Sequence, residues 1–166
     1  MDTDNNQSLI GIHSFKAYLG DIQLDEAGNV LNEVVYEQGP TKNLIVNTGK
    51  NLVLDRLFNL SAAAAIGFVG VGTDSTAAAL TQTQLNPTVV GSTFIQAADA
   101  GTARVNQTVT IASTFGTGVA NFTWNEAGLF NGSINGTSTM FNRVVIGPFA
   151  KTSAVSIVYT VQITQA

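Results

Sequence analysis

The alternation of side chains near the end of the chain is the feature that most constrains its fold. From residue 155 to residue 163, every second side chain is apolar and the intervening ones are mostly polar. Period two is the repeat of a β-strand with one face on a core. Phe122 and Trp124 alternate with polar neighbours in the same way. The side chains predicted to face the core in the last strand are Val155, Ile157, Tyr159, Val161 and Ile163.

Turn signals divide the rest of the chain into similar short segments. The pairs Asn131-Gly132 and Asn135-Gly136 favour turns with positive φ. Residues 9–24 and 30–36 flank a polar stretch and predict a β-hairpin with its tip near Gly28. Further strands are predicted at residues 66–72, 89–95, 105–113 and 119–124. Strands do not alternate with helices, so we expect a mainly β protein: an antiparallel, jelly-roll-like β-sandwich with one or two short helices.

One helix is predicted over residues 47–60, with Asn47 or Thr48 as its N-cap. Apolar side chains in this stretch follow helical spacing and are predicted to pack on one sheet face. Lys50 and Arg56 are expected on the opposite side. The side chains predicted to be buried are Val53, Leu54, Leu57 and Phe58.

Composition limits the domain count and the possible partners. The 166 residues predict a polar tail at 1–8 and a single domain at 9–166. Only 11% of residues are charged, against about 25% in ordinary domains. The net charge of −4 argues against nucleic acid as a partner. The chain has no cysteine. No apolar run approaches the length of a membrane span, about 20 residues, so we expect no membrane partner.

Two segments could suggest catalysis or nucleotide binding. The glycines of residues 67–72 are not in the order of a dinucleotide-binding fingerprint, and no Gly-Lys-Ser/Thr follows them. A buried strand is the favoured interpretation of this segment. His13 is the only histidine, and we expect it to be exposed or at a sheet edge. No serine lies in a nucleophile-elbow sequence, so we expect no catalytic residues and no enzyme activity.

Two groups of acidic residues could suggest a metal site. Asp2, Asp4, Asn5 and Asn6 resemble the start of a calcium loop but lack its later glycine and glutamate. Asp21, Asp25 and Glu26 are predicted to form a solvated turn. We therefore expect no metal and no cofactor.

Glu126 follows a tryptophan in a predicted strand, and a buried carboxylate there needs a partner. Arg143 is the nearest candidate in the sequence. We predict a structural ion pair between Glu126 and Arg143.

Five segments follow one another along the chain: residues 42–49 (KNLIVNTG), 69–73 (VGVGT), 83–85 (TQL), 125–130 (NEAGLF) and 143–152 (RVVIGPFAKT). Together they resemble a group of tailed-bacteriophage virion proteins labelled tail, fibre or head-decoration proteins. The resemblance spans about residues 14–164, and the order of its segments is more specific than any one of them. Within that group Glu-Ala-Gly-Leu-Phe is a structural signature without a catalytic role.

The resemblance implies a non-enzymatic structural protein of the virion, assembled in the host cytoplasm. We expect a capsid decoration (cement) or head-fibre subunit that docks on phage capsid or tail proteins. The alternatives are a tail-fibre or baseplate component, or a carbohydrate-binding module. A carbohydrate-binding module would use Trp124, Tyr18 or Tyr36 as an exposed stacking platform.

Low charge also favours self-association. We expect a homo-oligomer, specifically a trimer, with contacts mainly from residues 60–166. The hairpin at 21–37 is expected nearer to solvent or to a capsid neighbour. The tail at 1–8 is expected to become ordered only against another chain.

Overall fold

A computed structural model describes residues 8–85, 93–100 and 102–165. In this part of the chain, two five-stranded antiparallel sheets and one helix form a β-sandwich, which confirms the predicted fold class. The elements in chain order are β1 (Leu9–Leu19), β2 (Val34–Lys42), β3 (Leu44–Ile45), α1 (Asn47–Leu57), β4 (Phe68–Gly72), β5 (Thr93–Ala97), β6 (Ala103–Val105), β7 (Thr108–Phe115), β8 (Thr123–Phe130), β9 (Met140–Ala150) and β10 (Val155–Gln165).

The first sheet has the strand order β2-β1-β10-β7-β6. Its centre is β10, which pairs with β1 along all eleven residues, from Leu9↔Gln165 to Leu19↔Val155. The other side of β10 pairs with β7. The last strand is therefore central, and its alternate side chains face the core as predicted: Ile157, Tyr159 and Val161 are buried, and Val155 and Ile163 are half-buried.

The second sheet has the strand order β3-β9-β8-β4-β5. The glycine-rich segment forms β4, a buried strand, as predicted for residues 66–72. The predicted strand at 89–95 falls partly outside the described residues, and β5 begins at Thr93. Residues 1–7, most of the predicted polar tail, also lie outside them.

Aromatic side chains fill the space between the two sheets. Trp124 is fully buried, and its ring centroid lies 4.9 Å from that of Phe115 and 6.0 Å from that of Phe15. Edge contacts of this kind add to the free energy of burial. A second, smaller cluster lies on the other face of the second sheet and contains Val46, Leu85, Phe130 and Met140.

Helix α1 differs from its prediction in length, cap and orientation. It ends at Leu57, and Val46 occupies the N-cap position without a side-chain cap bond. The Thr48 hydroxyl instead donates to the Met140 carbonyl oxygen at 2.8 Å. Gly49 and Leu52 are the buried residues of the helix. A Cβ at Gly49 would overlap the carbonyl oxygen of Phe141, so glycine is what allows α1 to approach β9 this closely.

The predicted apolar face of α1 is therefore wrong. Leu54 is 51% exposed, Leu57 72% and Phe58 64%, and only Val53 packs partly against the core. Lys50 was expected on the opposite side. It instead shares a surface groove with Val53 and Leu54, because i, i+3 and i+4 lie on one helix face.

The N-terminal hairpin is confirmed, with β1 and β2 paired antiparallel and Gly28 at positive φ near the tip. The Asp25 carboxylate orders the tip by accepting hydrogen bonds from the backbone N–H groups of Ala27 and Asn29. Leu24 and Val30 form an isolated bridge below the tip. The loop between the strands, residues 20–33, is thus an ordered extension of the hairpin.

Two strands begin or end at other residues than predicted, because turns interrupt the predicted segments. Asn106, at positive φ, separates β6 from β7 inside the predicted strand at 105–113. Ala120, also at positive φ, lies in a turn, so β8 starts at Thr123 rather than at residue 119. Of the two Asn-Gly pairs, Asn135-Gly136 has the predicted positive φ at its glycine, whereas Gly132 is not among the glycines with positive φ.

Candidate functional site

The predicted ion pair between Glu126 and Arg143 is present and fully buried. Arg143 Nε donates to Glu126 Oε2 at 2.6 Å, and both side chains have 0% exposure. Strands β8 and β9 hold them on the sheet face that points away from the first sheet. Residues 73–85 cross this face and cover the pair.

Sequence reasoning missed a third member of the cluster, Asp74. Arg143 Nη2 donates to Asp74 Oδ2 at 3.1 Å, and the backbone N–H of Asp74 donates to Glu126 Oε1 at 3.4 Å. The guanidinium also donates through Nη1 to the carbonyl oxygen of Thr76 at 2.9 Å and to Gln82 Oε1 at 3.3 Å. One buried arginine thus fastens the segment at 73–85 to the sheet.

Small residues in β4 make room for this arrangement. A Cβ at Gly72 would overlap the Glu126 carboxylate, and one at Gly70 would lie 2.6 Å from the Phe130 ring and 3.1 Å from Leu85. The glycines of β4 therefore allow side chains to pack closely against this sheet face. Glu126 and Leu85 occupy the space that a bound phosphate would need.

Burial and the neighbouring arginine act in opposite directions on the pKa of Glu126. Burial raises the pKa of the Glu126 carboxyl, and the hydrogen bond and charge of Arg143 oppose that shift. A carboxylate closed off in this way has no open side for a substrate. The arrangement can hold the loop in place, which is the structural role predicted for the ion pair.

The prediction that His13 is exposed or at a sheet edge is wrong. His13 lies in β1 between β2 and β10, and it is 1% exposed. Its side chain points inward because it has the same strand parity as the buried Phe15 and Ala17. In the sequence, Phe15 and Ala17 share the parity of His13 but Ile10 and Ile12 have the opposite one, so the pattern does not predict which way His13 points.

The imidazole of His13 has a polar partner on each nitrogen. Asn43 Nδ2 donates to Nε2 at 3.2 Å, so Nδ1 carries the proton and donates to the Tyr159 hydroxyl at 3.1 Å. Burial lowers the pKa of His13 from 6.5 to about 3, and burial raises the pKa of Tyr159. The ring is therefore neutral at pH 7. It links β1 to β10 through Tyr159 and to the connection between β2 and β3 through Asn43.

The acidic candidates for a metal site are not brought together. Asp25 bonds to its own turn, and hydrogen bonds from Asn29 lower its pKa. Asp21 Oδ1 accepts from the Thr117 hydroxyl at 2.7 Å. No group of three or more His, Cys, Asp or Glu side chains among the described residues could hold a metal ion. Asp2, Asp4, Asn5 and Asn6 lie outside those residues.

The predicted platform for carbohydrate stacking is not formed. Trp124 has 0% exposure and its Nε1 donates to the carbonyl oxygen of Ala120 at 2.9 Å. Tyr18 is buried at 9% exposure. Tyr36 is 41% exposed, but its ring packs 4.8 Å from that of Phe149. A sugar could reach only one of the three rings.

Two exposed apolar surfaces remain as candidates for a functional site. The first, here called the α1 patch, contains Leu54, Leu57, Phe58 and Leu60 together with Lys50 and Arg56. The second, the hairpin patch, contains Leu24, Leu31, Val34 and Val35 together with Asp21, Asp25, Glu26 and Glu33.

Two open grooves flank the α1 patch. One, of about 500 Å³, is lined by Leu52, Val53, Arg56, Leu57 and the segment 64–66. The other, of about 380 Å³, is lined by residues 8–9, Ile45, Lys50, Val53 and Leu54. Apolar patches of this kind, rimmed by charged side chains, are typical of sites that bind another protein. The sequence showed the apolar residues of this patch but not that the helix turns them outward.

The chain matches no known protein family, no curated protein and no solved structure. In the part of the chain that the structure describes, no helix is both long enough and apolar enough to cross a bilayer.

Proposed function

We propose that the chain is a non-enzymatic structural component of a tailed-bacteriophage virion. Specifically, we propose a capsid-decoration (cement) or head-fibre subunit that associates with itself and docks on the particle. A tail-fibre or baseplate position is the alternative within the same class. Assembly would take place in the host cytoplasm and the final location would be the virion.

The observation that carries the proposal is how the segments with the phage resemblance come together in space. Residues 69–73, 125–130 and 143–150 contribute to β4, β8 and β9, which are adjacent strands of the second sheet. Residues 42–49 supply β3 and the start of α1 at the edge of the same sheet. Leu85, at the end of the segment 83–85, packs in the cluster on its outer face. The resemblance thus corresponds to one contiguous unit.

The chemistry of that unit also supports a structural role. Two charged side chains of that unit, Glu126 and Arg143, are bonded to each other and to Asp74 of the segment at 73–85 that covers them. The exposed features are instead apolar patches bordered by charged side chains, which suit binding to other proteins. The burial of Trp124 removes the main observation that favoured a carbohydrate-binding module.

The direct test is to locate the chain on virions of the phage whose genome encodes it. Mass spectrometry of gradient-purified particles should find the protein at a fixed stoichiometry. Reconstruction of the particles by electron microscopy should show the sandwich on the capsid shell or as a head fibre. Particles from a deletion of the gene are the matched control and should lack that density.

The outcomes separate the alternatives. Density at the tail tip or baseplate would favour the alternative position. Absence of the protein from purified particles would refute a virion role altogether.

A further inference from the structure

The exposed large apolar side chains are concentrated in one part of the sequence. Ten of the thirteen among the described residues lie between Leu19 and Leu60. Eight of those ten belong to the hairpin patch and the α1 patch. Residues 61–165 contribute the other three: Leu80, Val105 and Ile134.

The hairpin patch combines apolar side chains with negative charge. Residues 17–41 contain five acidic and no basic side chains. Leu31 is 63% exposed and Leu24 57%. Glu33, two residues after Leu31, is also exposed. A partner for this surface must therefore offer apolar contact together with positive charge.

Hydrogen bonds within the hairpin extension order it in the single chain. Asn32 Nδ2 donates to the carbonyl oxygens of Leu19 and Asp21, and Asn32 Oδ1 accepts from the backbone N–H of Gln23. In the described part of the chain, residues 22–33 form hydrogen bonds only with partners in residues 19–33. A protruding, pre-ordered loop loses little conformational entropy when it docks.

The α1 patch offers the complementary chemistry. Its leucines and Phe58 form an exposed apolar surface between the two grooves. Lys50 lines one groove and Arg56 the other, so positive charge borders the surface on both sides. Asp55 is the one acidic side chain of the helix, and it lies in a separate depression with Thr48 and Asn51.

The two patches of one molecule cannot meet. Leu9, at the start of β1, lines a groove beside α1, whereas Leu19, at the end of β1, accepts a hydrogen bond from Asn32 in the hairpin. The ten steps from Leu9 to Leu19 along β1 separate these two ends by about 34 Å, at about 3.4 Å per residue. The hairpin of a molecule therefore cannot cover its own helix.

We propose that the hairpin patch of one copy binds the α1 patch of a second copy. This inference rests on the self-association included in the proposed function, and it assigns the surfaces that carry it. It moves the interface from residues 60–166, as expected from charge density alone, to residues 20–60. Apolar side chains face apolar side chains in this contact, while Glu33 and its acidic neighbours approach Lys50 and Arg56.

The contact is heterologous, because each copy uses two different surfaces. Such a contact closes into a ring when the rotation per copy permits, and otherwise grows into a filament. The trimer expected from the sequence would be a closed ring of this kind. A twofold dimer, in which each patch meets its own equivalent, is a distinct arrangement.

Engineered cysteines distinguish these arrangements, since the chain has no cysteine of its own. Leu31→Cys and Leu57→Cys are prepared as separate single variants and oxidised alone or as a mixture. The proposal predicts a disulfide-linked dimer only in the mixture. Cross-linking of either variant alone, with none specific to the mixture, would overturn it. Ile134→Cys, exposed but outside both patches, is the control and should not cross-link with Leu57→Cys.

Charge reversal tests the electrostatic part of the proposal. Lys50→Glu and Glu33→Lys should each weaken self-association by about tenfold, as expected when an attractive pair becomes repulsive, and the double variant should recover affinity. Leu57→Glu should weaken it by about thirtyfold or more, the loss typical of an interface hot spot. Sedimentation velocity over a concentration series measures these changes, and circular dichroism checks that each variant is folded.

The results separate this inference from the wider proposal. A wild-type oligomer that survives Leu57→Glu unchanged would refute the assigned surfaces and leave self-association standing. A wild-type chain that stays monomeric at every concentration would refute the self-association itself. The presence of the protein on virions is measured independently of both.

Discussion

Arg143 Nε lies 2.6 Å from Glu126 Oε2, and neither side chain is exposed to solvent. The same guanidinium bonds to Asp74 and to the backbone of the segment that covers it. A buried cation with two carboxylate partners is stable only while all three are present, because each charge lacks water to replace a lost partner.

Arg143→Met should therefore destabilise the fold by about 3–5 kcal/mol, the usual effect of removing one partner from a buried ion pair. Urea unfolding followed by circular dichroism measures the change in unfolding free energy. The double variant Arg143→Met/Glu126→Gln removes a charge of each sign and should be more stable than Arg143→Met alone. A single variant within about 1 kcal/mol of wild type would show that the cluster contributes little.

The buried His13 predicts a specific pH dependence. Its pKa is about 3 in the folded state against 6.5 for the free side chain, so the unfolded chain binds more protons between these values. Stability should therefore fall as pH drops from about 6.5, by up to about 1.4 kcal/mol per pH unit for this group.

His13→Gln isolates this contribution, because glutamine can still bond to Tyr159 or Asn43 but does not titrate. The difference in unfolding free energy between wild type and variant cancels the other titrating groups, including Glu126. Wild type should lose stability relative to the variant between pH 6 and pH 4. Parallel curves over that range would mean that the histidine is hydrated.

Shortening buried side chains of helix α1 should destabilise the fold, and these side chains lie on the face opposite to that expected from the sequence. Leu52→Ala should cost about 2–5 kcal/mol because Leu52 is buried beside the sheet. Leu57→Ala should cost less than about 0.5 kcal/mol in the monomer, because the side chain is 72% exposed. Thermal unfolding at low protein concentration compares the two, and equal losses would contradict the observed orientation of the helix.

Gly49 should resist substitution although alanine is the better helix former. A Cβ there would overlap the backbone carbonyl of Phe141, which cannot rotate away. Gly49→Ala should therefore destabilise by about 1–3 kcal/mol or more, outweighing the up to about 1 kcal/mol that alanine contributes to helix propensity. Gly67→Ala, where nothing lies within 4 Å, is the matched control. A stabilised Gly49→Ala protein would show that the helix can shift outward.

The strands were predictable because period-two alternation depends only on which sheet face is buried. The last strand was identified on that basis. The hairpin was predicted from its turn near Gly28, and the glycine-rich strand from its short apolar run. The orientation of α1 was not, since its apolar residues are numerous on the face that the sheet does not cover. Gly49 decides the packing side through close approach to β9, and a sequence pattern does not display that contact.

The sequence likewise predicts some parts of the candidate sites and not others. Glu126 and Arg143 were paired correctly because a carboxylate in an apolar strand requires a cation nearby. Asp74 lies 52 residues from Glu126, and their proximity depends on how the segment at 73–85 folds over the sheet. The α1 patch and the hairpin patch follow from exposure, which becomes known only once the sandwich is assembled.

The pairing of β1 with β10 also has a consequence for synthesis. The first strand of the sandwich finds its neighbour at the centre of the sheet only after residue 165 has left the ribosome. Until then, one edge of the strand that carries Phe15 and Ala17 lacks its hydrogen-bonding neighbour, and the nascent chain has an incomplete sheet with an open edge. Such long-range closure is slow and leaves intermediates prone to aggregation. Efficient production of the protein should therefore depend on chaperone capacity more than its small size would suggest.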